Sequence, residues 1–462
     1  MKQLYTLLLL AGFAYSANAQ ATHTLDSTTL TSRVVKDSLD IPWEILWGPD
    51  NHIWMTERYG RVSRVNPETG TQDVILDLSS DVYQNSESGM MGMVLHPDFS
   101  TKPHVFIAHT YLDASKIRER LVRYNYDGSS LTAADTLVED IVGNTTHIGC
   151  RLLILPDNTL LMTTGDAQNQ SLPQDRSSLS GKVLRMNLDG SIPADNPDSS
   201  SLVWSSGHRN AQGLWLAPNG KLYSSEHGPT TDDELNILMP DRNYGWPNVH
   251  GLCDSPPEID FCNDSNVVEP LAVWTPTIAP SDIIWYDSWQ VPEFRNKLLM
   301  TVLKDKSLIA FEFNKAGDSI ISETKYFKNE FQRLRDICVS PDGKIYLATS
   351  GSSWRNTSPF THTIVELSNK DFNASVSSQV AMKSIVIGPN PVAVGESIHL
   401  TLPHNSVGVF EIYDVLGRPV LKTPLTTVIP LGVRVSEGFY NWRIKLDNGQ
   451  VQTGKLQVTV QP

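Results

Sequence analysis

Short segments that alternate apolar and polar residues recur along the chain, and each follows a proline and a turn. Typical copies read "GPDNHIWMTE", "LPDNTLLMTTGD" and "SPDGKIYLATS". Alternation with period two predicts half-buried β-strands, and the turn residues predict hairpins between them. Helical periodicity is scarce. The prolines that introduce the copies are Pro49, Pro97, Pro156, Pro218, Pro292 and Pro341.

The copies lie 48 to 74 residues apart, so each repeat is long enough for four short strands. Six four-stranded units in succession predict an all-β fold, a six-bladed β-propeller, over residues 27–368. A long β-sandwich, or two of them, is the alternative. Propellers bind ligands at one mouth of their central channel, where charged residues from remote blades can meet. We therefore expect one site built from distant parts of the sequence.

The composition and pattern of the sequence change after the last repeat. Residues 369–383 form a polar segment that predicts a linker. Residues 384–462 then read as about seven short strands separated by glycine turns, which predicts a small C-terminal β-sandwich. Histidines and carboxylates hardly cluster in this tail, so we assign the chemistry to the propeller.

The N-terminus has the order of an export signal. Lys2 is followed by the apolar stretch "LYTLLLLAGFAY" and then by "ANA" at residues 17–19. This pattern predicts a signal peptide over residues 1–19 and an exported, secreted or cell-surface protein. The apolar stretch is too short to span a bilayer, and no later segment reads as transmembrane.

The net charge limits the possible binding partners, and the cysteine positions suggest disulfides. The net charge of −14 argues against nucleic acid and anionic membranes. Export permits disulfides, and Cys253 and Cys262 bracket a proline-rich loop that a bridge would close. A Cys150–Cys338 bridge is a looser expectation. The cysteines lack the spacing of a zinc site.

The segment "HIGCRLLILPDNTLLMTTGD" carries the first candidate for chemistry. A hairpin here would return His147 and Asp166 to the same sheet edge. A carboxylate bonded to one imidazole nitrogen leaves the other free as a general base. A purely structural His–Asp pair remains the alternative. Motifs typical of nicotinamide, flavin, serine-hydrolase and zinc-peptidase sites are absent from the sequence.

A set of cations comes from several predicted blades. Arg209 lies in "SSGHRNAQGL", Lys304 in "VLKDK", and Arg333 and Arg335 share one face of a strand. Cations that converge in an acidic protein suit a small polyanion. The Gly228–Pro229 turn can expose carbonyl oxygens, which suit calcium.

Longer motifs occur in a recognisable order: "ESGMMGMVLHPDF", "HIGCRLLILPD", "LSGKVLRMNLDGSIPADNP", "GHRNAQGL", "SEHGPTTDDELN" and "RLRDICVSPDGKIYLATS". With them, residues 30–368 resemble the soluble quinoprotein glucose/sorbosone dehydrogenase family and its aldose sugar dehydrogenases. The resemblance implies an enzyme that uses pyrroloquinoline quinone (PQQ) and Ca²⁺. Such an enzyme oxidises the anomeric hydroxyl of an aldose to a lactone by hydride transfer to PQQ.

The resemblance also implies roles for individual residues. His147 would be the general base and Asp166 its orienting partner, and Arg209 and Asn210 would contact the quinone oxygens. Glu87 falls where glucose-oxidising members carry glutamine and aldose-oxidising relatives carry glutamate. The remaining implied ligands are Lys304, Arg333 and Arg335 for the PQQ carboxylates, and Gly228 and Pro229 for calcium. Independently of the resemblance, the acidic turn Asp232-Asp233-Glu234 makes Glu234 a candidate metal ligand, with a solvated turn as the alternative.

The sequence departs from the family pattern in two places. The usual H-x-G-G-R or H-x-S-G-R reads His147-Ile-Gly-Cys150-Arg151, and Trp274 stands one place from where an aromatic over the cofactor is expected. The tail separately resembles the C-terminal sorting domain of type IX secretion, through "PNP", "IYDVLGR", "GFY" and "GKLQV". That resemblance implies the type IX machinery as a partner; a carbohydrate-binding or fibronectin-like module is the alternative.

The sequence supports three functional hypotheses. The leading hypothesis is the PQQ- and calcium-dependent sugar dehydrogenase with a small sugar as substrate; the sequence does not identify its electron acceptor. A propeller that only binds glycans or protein, and a calcium-dependent sugar lactonase, are the alternatives. The binding-only reading predicts loss of His147 or of the cation set, and a lactonase would not need the Lys304, Arg333 and Arg335 set.

Overall fold

The computed structural model describes residues 21–351, 360–372, 386–388, 390–401, 408–414, 417–432, 435–446 and 451–460. The predicted signal peptide (1–19) and most of the predicted linker (369–383) lie outside these residues. The chain divides into two compact units, Met1–Lys370 and Asp371–Pro462. The described part is built mainly of strands, which confirms the predicted all-β class. Among the described helices, none is long and apolar enough to cross a membrane.

The first unit contains six antiparallel sheets in its described residues. Two N-terminal strands, β1 (Ala21–Thr24) and β2 (Thr29–Lys36), belong to the sixth sheet, which the C-terminal strands of the unit complete. The other five sheets precede these C-terminal strands along the chain. These five sheets follow in chain order, four strands each: β3–β6 (Pro42–Trp47, Ile53–Glu57, Arg61–Val65, Gln72–Asp77), β7–β10 (Met90–Leu95, His104–Asp113, Lys116–Tyr126, Leu131–Val142), β11–β14 (Gly149–Ile154, Thr159–Thr164, Lys182–Asn187, Val203–Ser206), β15–β18 (Ala211–Leu216, Leu222–Glu226, Asp233–Leu238, Ala272–Trp274) and β19–β22 (Pro280–Tyr286, Lys297–Val302, Ser307–Phe313, Ile320–Tyr326).

The sixth sheet joins the two ends of the unit. Strands β23 (Arg333–Val339), β24 (Ile345–Ser350) and β25 (Ile364–Ser368) continue into β2, which pairs antiparallel with β25. The first strands of the six sheets also contact one another in cyclic order, from β3 through β7, β11, β15 and β19 to β23 and back to β3. The chain therefore forms a closed cycle of sheets, and its inner strands converge.

Apolar side chains fill the spaces between neighbouring sheets. Trp54 of the first sheet is fully buried and packs edge-to-face with Phe99 and Tyr126 of the second. Another cluster contains Phe294 and Leu334, from the fifth and sixth sheets. Because each sheet covers the apolar face of the next, no sheet buries its residues alone.

One arginine connects four of the inner strands. Arg151 of β11 is fully buried, and its Nη1 lies 2.6 Å from Glu44 Oε2 and 2.8 Å from Asp336 Oδ1. Its Nε lies 3.4 Å from Asp282 Oδ1 and donates to the Gln212 carbonyl at 2.9 Å. Burial raises the pKa of Glu44 to about 7 and raises the pKa of Asp336 well above its usual range. The carboxylates thus depend on the guanidinium for their charge.

The cysteine predictions have opposite outcomes. Cys253 and Cys262 form a disulfide, as predicted. The Cys150–Cys338 bridge was wrong: both residues are free and buried. Cys150 packs in an apolar cluster with Trp43, and its thiol hydrogen-bonds with Glu119. The thiol is therefore part of the buried core.

The proline-rich loop predicted between the bridged cysteines is a helix, α1 (Pro256–Asp264). Ser255 caps it, its backbone N–H and hydroxyl both bond to the Glu258 side chain, and two prolines occupy the first turn. Ser-x-x-Glu with proline at the helix start is a capping signature, so the sequence did contain the signal for this helix. A short 3₁₀ turn follows at Pro292–Phe294.

The second unit has two sheets among its described residues. One has β26 (Val386–Gly388), β28 (Ser397–Thr401) and β31 (Val428–Pro430). The other has β27 (Val392–Ala393), β29 (Gly408–Tyr413), β30 (Pro419–Pro424), β32 (Gly438–Leu446) and β33 (Val451–Thr459). Phe410, Trp442 and Leu456 belong to a core that contains only residues of this unit.

Substitution of Arg151 should destabilise the first unit strongly. Arg151→Met leaves Glu44, Asp282 and Asp336 buried without their shared cation, so we expect the free energy of unfolding to fall by about 3–5 kcal/mol. Urea denaturation followed by tryptophan fluorescence measures the loss. The matched control is Arg176→Met, because Arg176 pairs with Asp241 at 2.6 Å while both side chains are 59% exposed. This control should lose about 1 kcal/mol or less; equal losses would contradict a central role for Arg151.

Candidate functional site

The His147–Asp166 contact forms as the hairpin predicts. Strands β11 and β12 pair with Gly149 opposite Thr164, which returns the two flanking residues to one edge. His147 Nδ1 then lies 2.8 Å from Asp166 Oδ1. His147 has a φ of 56°, in the left-handed region that non-glycine residues rarely adopt. A Cβ at Gly165 would lie 1.8 Å from the His147 carbonyl oxygen, so only glycine allows this approach.

Asp166 is held as a hydrogen-bond acceptor. It is 1% exposed, and its Oδ1 also accepts the backbone N–H of Gln168 at 2.8 Å. Its Oδ2 accepts the indole N–H of Trp246 at 2.8 Å. Three donors are directed at the carboxylate, and together they determine its position.

Arg209 determines which nitrogen of His147 carries the proton. Its Nη2 lies 3.0 Å from His147 Nε2. A guanidinium can only donate, so Nε2 must present its lone pair, and the ring proton resides on Nδ1 and points at Asp166. The Nε2 nitrogen therefore faces away from the carboxylate. This arrangement suits a general base.

The backbone of Arg209 and Asn210 is held by the side chain of Glu226. Glu226 Oε1 accepts the backbone N–H groups of both residues, at 3.0 Å for Asn210. The buried His208 ring bonds Glu226 Oε2 at 3.0 Å. The guanidinium of Arg209 lies over the Trp246 ring, 5.3 Å from its centroid, and burial lowers its pKa. The base and its cationic neighbour thus share the Trp246 support.

A cavity of about 480 Å³ lies beside this pair. Ile148 and Gly149, which follow the histidine, form part of its wall. Glu87 lines the cavity and its Oε2 accepts the His147 backbone N–H at 2.9 Å. Three arginines from two sheets also line the cavity: Arg58, which follows β4, and Arg333 and Arg335 of β23.

These arginines lack carboxylate partners. No salt bridge within 4 Å is found for any of the three in the part of the chain that the structure describes, and the Nε atoms of Arg58 and Arg335 are buried without hydrogen bonds there. Arg335 Nη1 donates only to neutral oxygens, Gln212 Oε1 at 2.8 Å and Ser281 Oγ at 3.4 Å. Burial lowers the pKa of Arg333, and burial with the nearby Arg333 charge lowers the pKa of Arg335. Positive charge is concentrated here and incompletely compensated, which suits an anionic ligand.

Four of the predicted cofactor ligands do not line this cavity: His147, Arg209, Asn210 and Lys304. Lys304 is exposed and its Nζ donates to Thr277 Oγ1 at 2.6 Å, while the preceding Leu303 lines the cavity. Asn210 is buried, and its Oδ1 accepts the backbone N–H of Gly149 at 3.1 Å. Trp274 is also absent from the lining; its indole N–H donates to Glu323.

The candidate calcium turn has two free acceptors. The carbonyl oxygens of Gly228 and Pro229 accept no hydrogen bond from any described residue, while the Gly228 N–H donates to Asp233 Oδ1 at 2.8 Å. Glu234 accepts from the Gly251 N–H at 3.1 Å and from Asn236 Nδ2 at 2.9 Å. No cluster of three or more His, Cys, Asp or Glu able to hold a metal occurs within the described residues.

The sequence prediction missed several members of the site. Arg58 begins the turn after β4 and lines the cavity, and Trp246 donates its indole N–H to Asp166. His227 also lines the cavity, and its Nε2 bonds the Pro280 carbonyl at 2.7 Å. Gln212 joins Arg335 to Asn210. Trp246 lies in the motif "NYGWP" and could have been found from it; Arg58 looks like an ordinary strand-end residue.

Comparison with known proteins identifies relatives of this chain. The family model described as Glucose / Sorbosone dehydrogenase matches residues 39–355. The chain is 30% identical over 345 residues to the aldose sugar dehydrogenase YliI of Escherichia coli, covering 70% of this chain and 91% of that protein. It is 29% identical over 427 residues to quinoprotein glucose dehydrogenase B of Acinetobacter calcoaceticus, covering 73% of this chain and 89% of that protein.

Solved structures agree with these relatives. The PQQ-bound aldose sugar dehydrogenase of Streptomyces coelicolor superimposes with a TM-score of 0.64 at 30% identity, covering 76% of this chain and 98% of that one. The apo-form of the soluble aldose sugar dehydrogenase of Escherichia coli has the same TM-score at 28% identity, covering 74% of this chain and all (100%) of that one. The first unit therefore has the β-propeller fold of these dehydrogenases.

Gly165→Ala should separate the histidine from its carboxylate. The new Cβ must displace the His147 carbonyl, so we expect a loss of about 1–3 kcal/mol in the free energy of unfolding and a weakened Nδ1–H bond. Urea denaturation measures the first effect, and the downfield proton resonance of a carboxylate-bound imidazole N–H measures the second. The control is Gly220→Ala, where φ is +80° but a Cβ meets nothing within 4 Å. Retention of the downfield resonance in Gly165→Ala would contradict the prediction.

Proposed function

The chain belongs to the glucose/sorbosone dehydrogenase family, and on this premise we propose that it is a PQQ- and calcium-dependent dehydrogenase that oxidises the anomeric hydroxyl of aldoses to lactones. One observation carries the proposal. Asp166 binds the Nδ1 of His147 and Arg209 contacts its Nε2. The imidazole lies next to a cavity whose arginines have no carboxylate within 4 Å among the described residues.

The residues present fit the cofactor. PQQ is a small polyanion, and Arg58, Arg333 and Arg335 offer it positive charge that Glu87 compensates only in part. The buried Nε atoms of Arg58 and Arg335 have no acceptor among the described residues. We assign its carboxylates to Arg333 and Arg335, with Lys304 at the exposed rim, and its quinone oxygens to Arg209 and Asn210. When bound, the quinone supplies the hydride acceptor for the reaction.

His147 performs the proton transfer in this proposal. Its Nε2 takes the proton of the anomeric hydroxyl as hydride leaves the same carbon, so the ring becomes an imidazolium. Asp166 stabilises that charge because its Oδ1 already accepts the Nδ1–H at 2.8 Å. Arg209 occupies the Nε2 lone pair at 3.0 Å, so the substrate hydroxyl must displace or share this contact.

The substrate class follows from the residue beside the base. Glu87 lines the cavity and holds the His147 backbone. A carboxylate at this position is the variant found in aldose-oxidising relatives, which supports a broad aldose substrate. Calcium would bind at the free carbonyls of Gly228 and Pro229, with Glu234 nearby.

The architecture and destination are part of the same proposal. The six sheets, whose inner strands contact one another in a cycle, support a six-bladed propeller over residues 27–368. The two sheets of the second unit support a β-sandwich over residues 384–462, after the linker at 369–383. With the signal peptide at 1–19 and the tail motifs, we propose export and type IX secretion, to the cell surface or the medium.

Cofactor binding should require both calcium and the arginine pair. We expect PQQ to bind the calcium-loaded protein and to bind much more weakly after chelation, because the metal helps to neutralise the polyanion. Replacement of both Arg333 and Arg335 by glutamine should weaken binding in calcium by at least about 100-fold, since each desolvated charged contact contributes roughly 1.5–3 kcal/mol.

Titration of the protein by quinone absorbance measures both effects. Arg295→Gln is the control, because Arg295 lies outside the cavity over Trp289. Equal affinity with and without calcium would refute the Gly228–Pro229 site.

Removal of the base should separate rate from binding. His147→Ala leaves the arginines in place, so PQQ occupancy should persist while turnover falls by about 10²–10⁴. Asp166→Asn should reduce the rate more than the occupancy, because it disturbs the tautomer of the imidazole. Aldose-dependent dye reduction, PQQ absorbance and thermal melting on the same preparations distinguish these effects. Near-normal turnover of folded, PQQ-loaded His147→Ala would end the proposed mechanism.

A further inference from the structure

A second cavity lies next to the candidate site. It has a volume of about 660 Å³ and shares the wall residue Gln84 with the arginine-lined cavity. One loop connects the two: residues 79–84 line the second cavity, and residues 84–87 line the first. The loop ends at Glu87, which binds the backbone of His147. A ligand that extends from the base along this loop would enter the second cavity.

Arg120 is held in this cavity with its donor edge open. Its Nε donates to His109 Nε2 at 3.2 Å across strands β8 and β9, and its guanidinium stacks on the Tyr111 ring at 4.5 Å. His109 is fully buried, and burial lowers its pKa to about 4, so the ring is a neutral acceptor. Neither terminal nitrogen of Arg120 has a hydrogen-bond or carboxylate partner among the described residues. The fixed fork can therefore donate two parallel hydrogen bonds.

The aromatic side of the cavity is also held in position. The Tyr111 hydroxyl donates to Asp140 Oδ1 at 2.8 Å and accepts the Asp140 N–H at 3.2 Å. The Tyr83 N–H donates to the Thr110 carbonyl at 3.0 Å, and the Thr110 hydroxyl donates to the Tyr83 carbonyl at 2.6 Å. Tyr59 completes three tyrosines around the space. The Tyr111 ring and the Tyr83 backbone are therefore positioned before a ligand binds, which lowers the entropy cost of binding.

The ligand class follows from what else lines the space. Asp81 supplies an exposed carboxylate opposite in charge to Arg120, and Ser79, Ser80 and Gln84 supply neutral polar groups. Tyrosine rings pack on apolar C–H faces, whereas an arginine fork and a carboxylate together bind neighbouring hydroxyls as donor and acceptor. A pyranose has both an apolar face and a rim of hydroxyls. A free carboxylate ligand would be repelled by Asp81.

We propose that the second cavity is a subsite for a neutral glycosyl unit, so that the substrate is an oligosaccharide whose reducing end faces His147. The inference rests on the proposed sugar oxidation. Gln84 lies at the junction between the unit that is oxidised and the unit that is bound. Binding energy from the remote unit then assists a reaction at the reducing end.

Kinetics with matched sugars test the subsite. With the calcium- and PQQ-loaded full chain, dye reduction is measured for glucose and for linear α-1,4- and β-1,4-linked glucose trisaccharides. We expect kcat/KM for at least one trisaccharide to exceed that for glucose by about tenfold. Tyr111→Ala should lower this ratio by about fivefold or more, the effect of one lost aromatic contact. Ser80→Trp, which fills the exposed side of the cavity, should lower it as well without removing a support of the fold.

The glucose reaction and a matched pair elsewhere serve as controls. All variants should keep kcat/KM for glucose, since none of the substituted residues lines the arginine cavity. Trp289→Ala removes an equivalent arginine-stacked aromatic, with Arg295 4.1 Å from its ring centroid, and should leave the ratio unchanged. A ratio near one in the wild type, or an unchanged ratio in both Tyr111→Ala and Ser80→Trp, would overturn the subsite. A gain confined to sugars that carry a uronate would also overturn it, because Arg120 would then bind a carboxylate.

A binding experiment keeps the two proposals separable. Trisaccharide alditols have no anomeric hydroxyl and cannot be oxidised there, so their binding does not depend on the reaction. Saturation-transfer NMR with the full chain should place the strongest signals on the non-reducing glycosyl protons and lose them in Tyr111→Ala. Binding without oxidation of any sugar would retain the subsite and refute the dehydrogenase; oxidation of glucose without this binding would do the reverse.

Discussion

The cycle of sheets depends on a charge that no single sheet can satisfy. Arg151 is fully buried, and its partners Glu44, Asp282 and Asp336 come from three other inner strands. A buried guanidinium costs several kcal/mol unless it is paired and hydrogen-bonded, and the carboxylates would be left uncompensated without it. The four strands must therefore converge for any one of these groups to be stable. Hydrophobic burial between sheets is tolerant of small shifts, whereas this ion cluster specifies one arrangement.

The same cluster supports the floor of the candidate site. The guanidinium of Arg151 lies 4.5 Å from the centroid of the Trp43 ring, and Trp43 lines the arginine cavity. Arg335 lies over the same ring at 5.7 Å. Arg151 Nε also donates to the Gln212 carbonyl, and the Gln212 side chain accepts a hydrogen bond from Arg335. The same network therefore closes the cycle of sheets and positions the cavity cations. Arg151 has a structural role in it and lies outside the cavity lining.

Sequence reasoning succeeded where the signal was local and failed where it depended on tertiary contacts. The proline-turn-strand repeat predicted the strands, and the hairpin after His147 predicted its contact with Asp166, because both follow from the period of two. Cys253 and Cys262 are close in sequence and paired as expected, although the helix between them was overlooked. Cys150 and Cys338 were placed together only because their neighbours share a site, and strand alternation instead directs both thiols into separate apolar clusters. Arg58 and His109 could not be found at all, since their roles exist only once other sheets lie against them.

The arginine cavity makes sense only in relation to an anion. The chain as a whole carries a charge of −14, so its field favours buried cations and lowers the cost of keeping three guanidiniums together. That field still supplies no hydrogen-bond acceptor to the Nε atoms of Arg58 and Arg335. A neutral sugar could not replace the missing carboxylates, and a protein that only bound sugars would gain nothing from like charges held in a cavity. The neutral polar walls around Arg120 provide the contrast: there one cation faces tyrosines and hydroxyls and has Asp81 nearby. The two cavities therefore differ in the charge of the side chains that line them, and the imidazole of His147 lies beside the arginine-lined cavity.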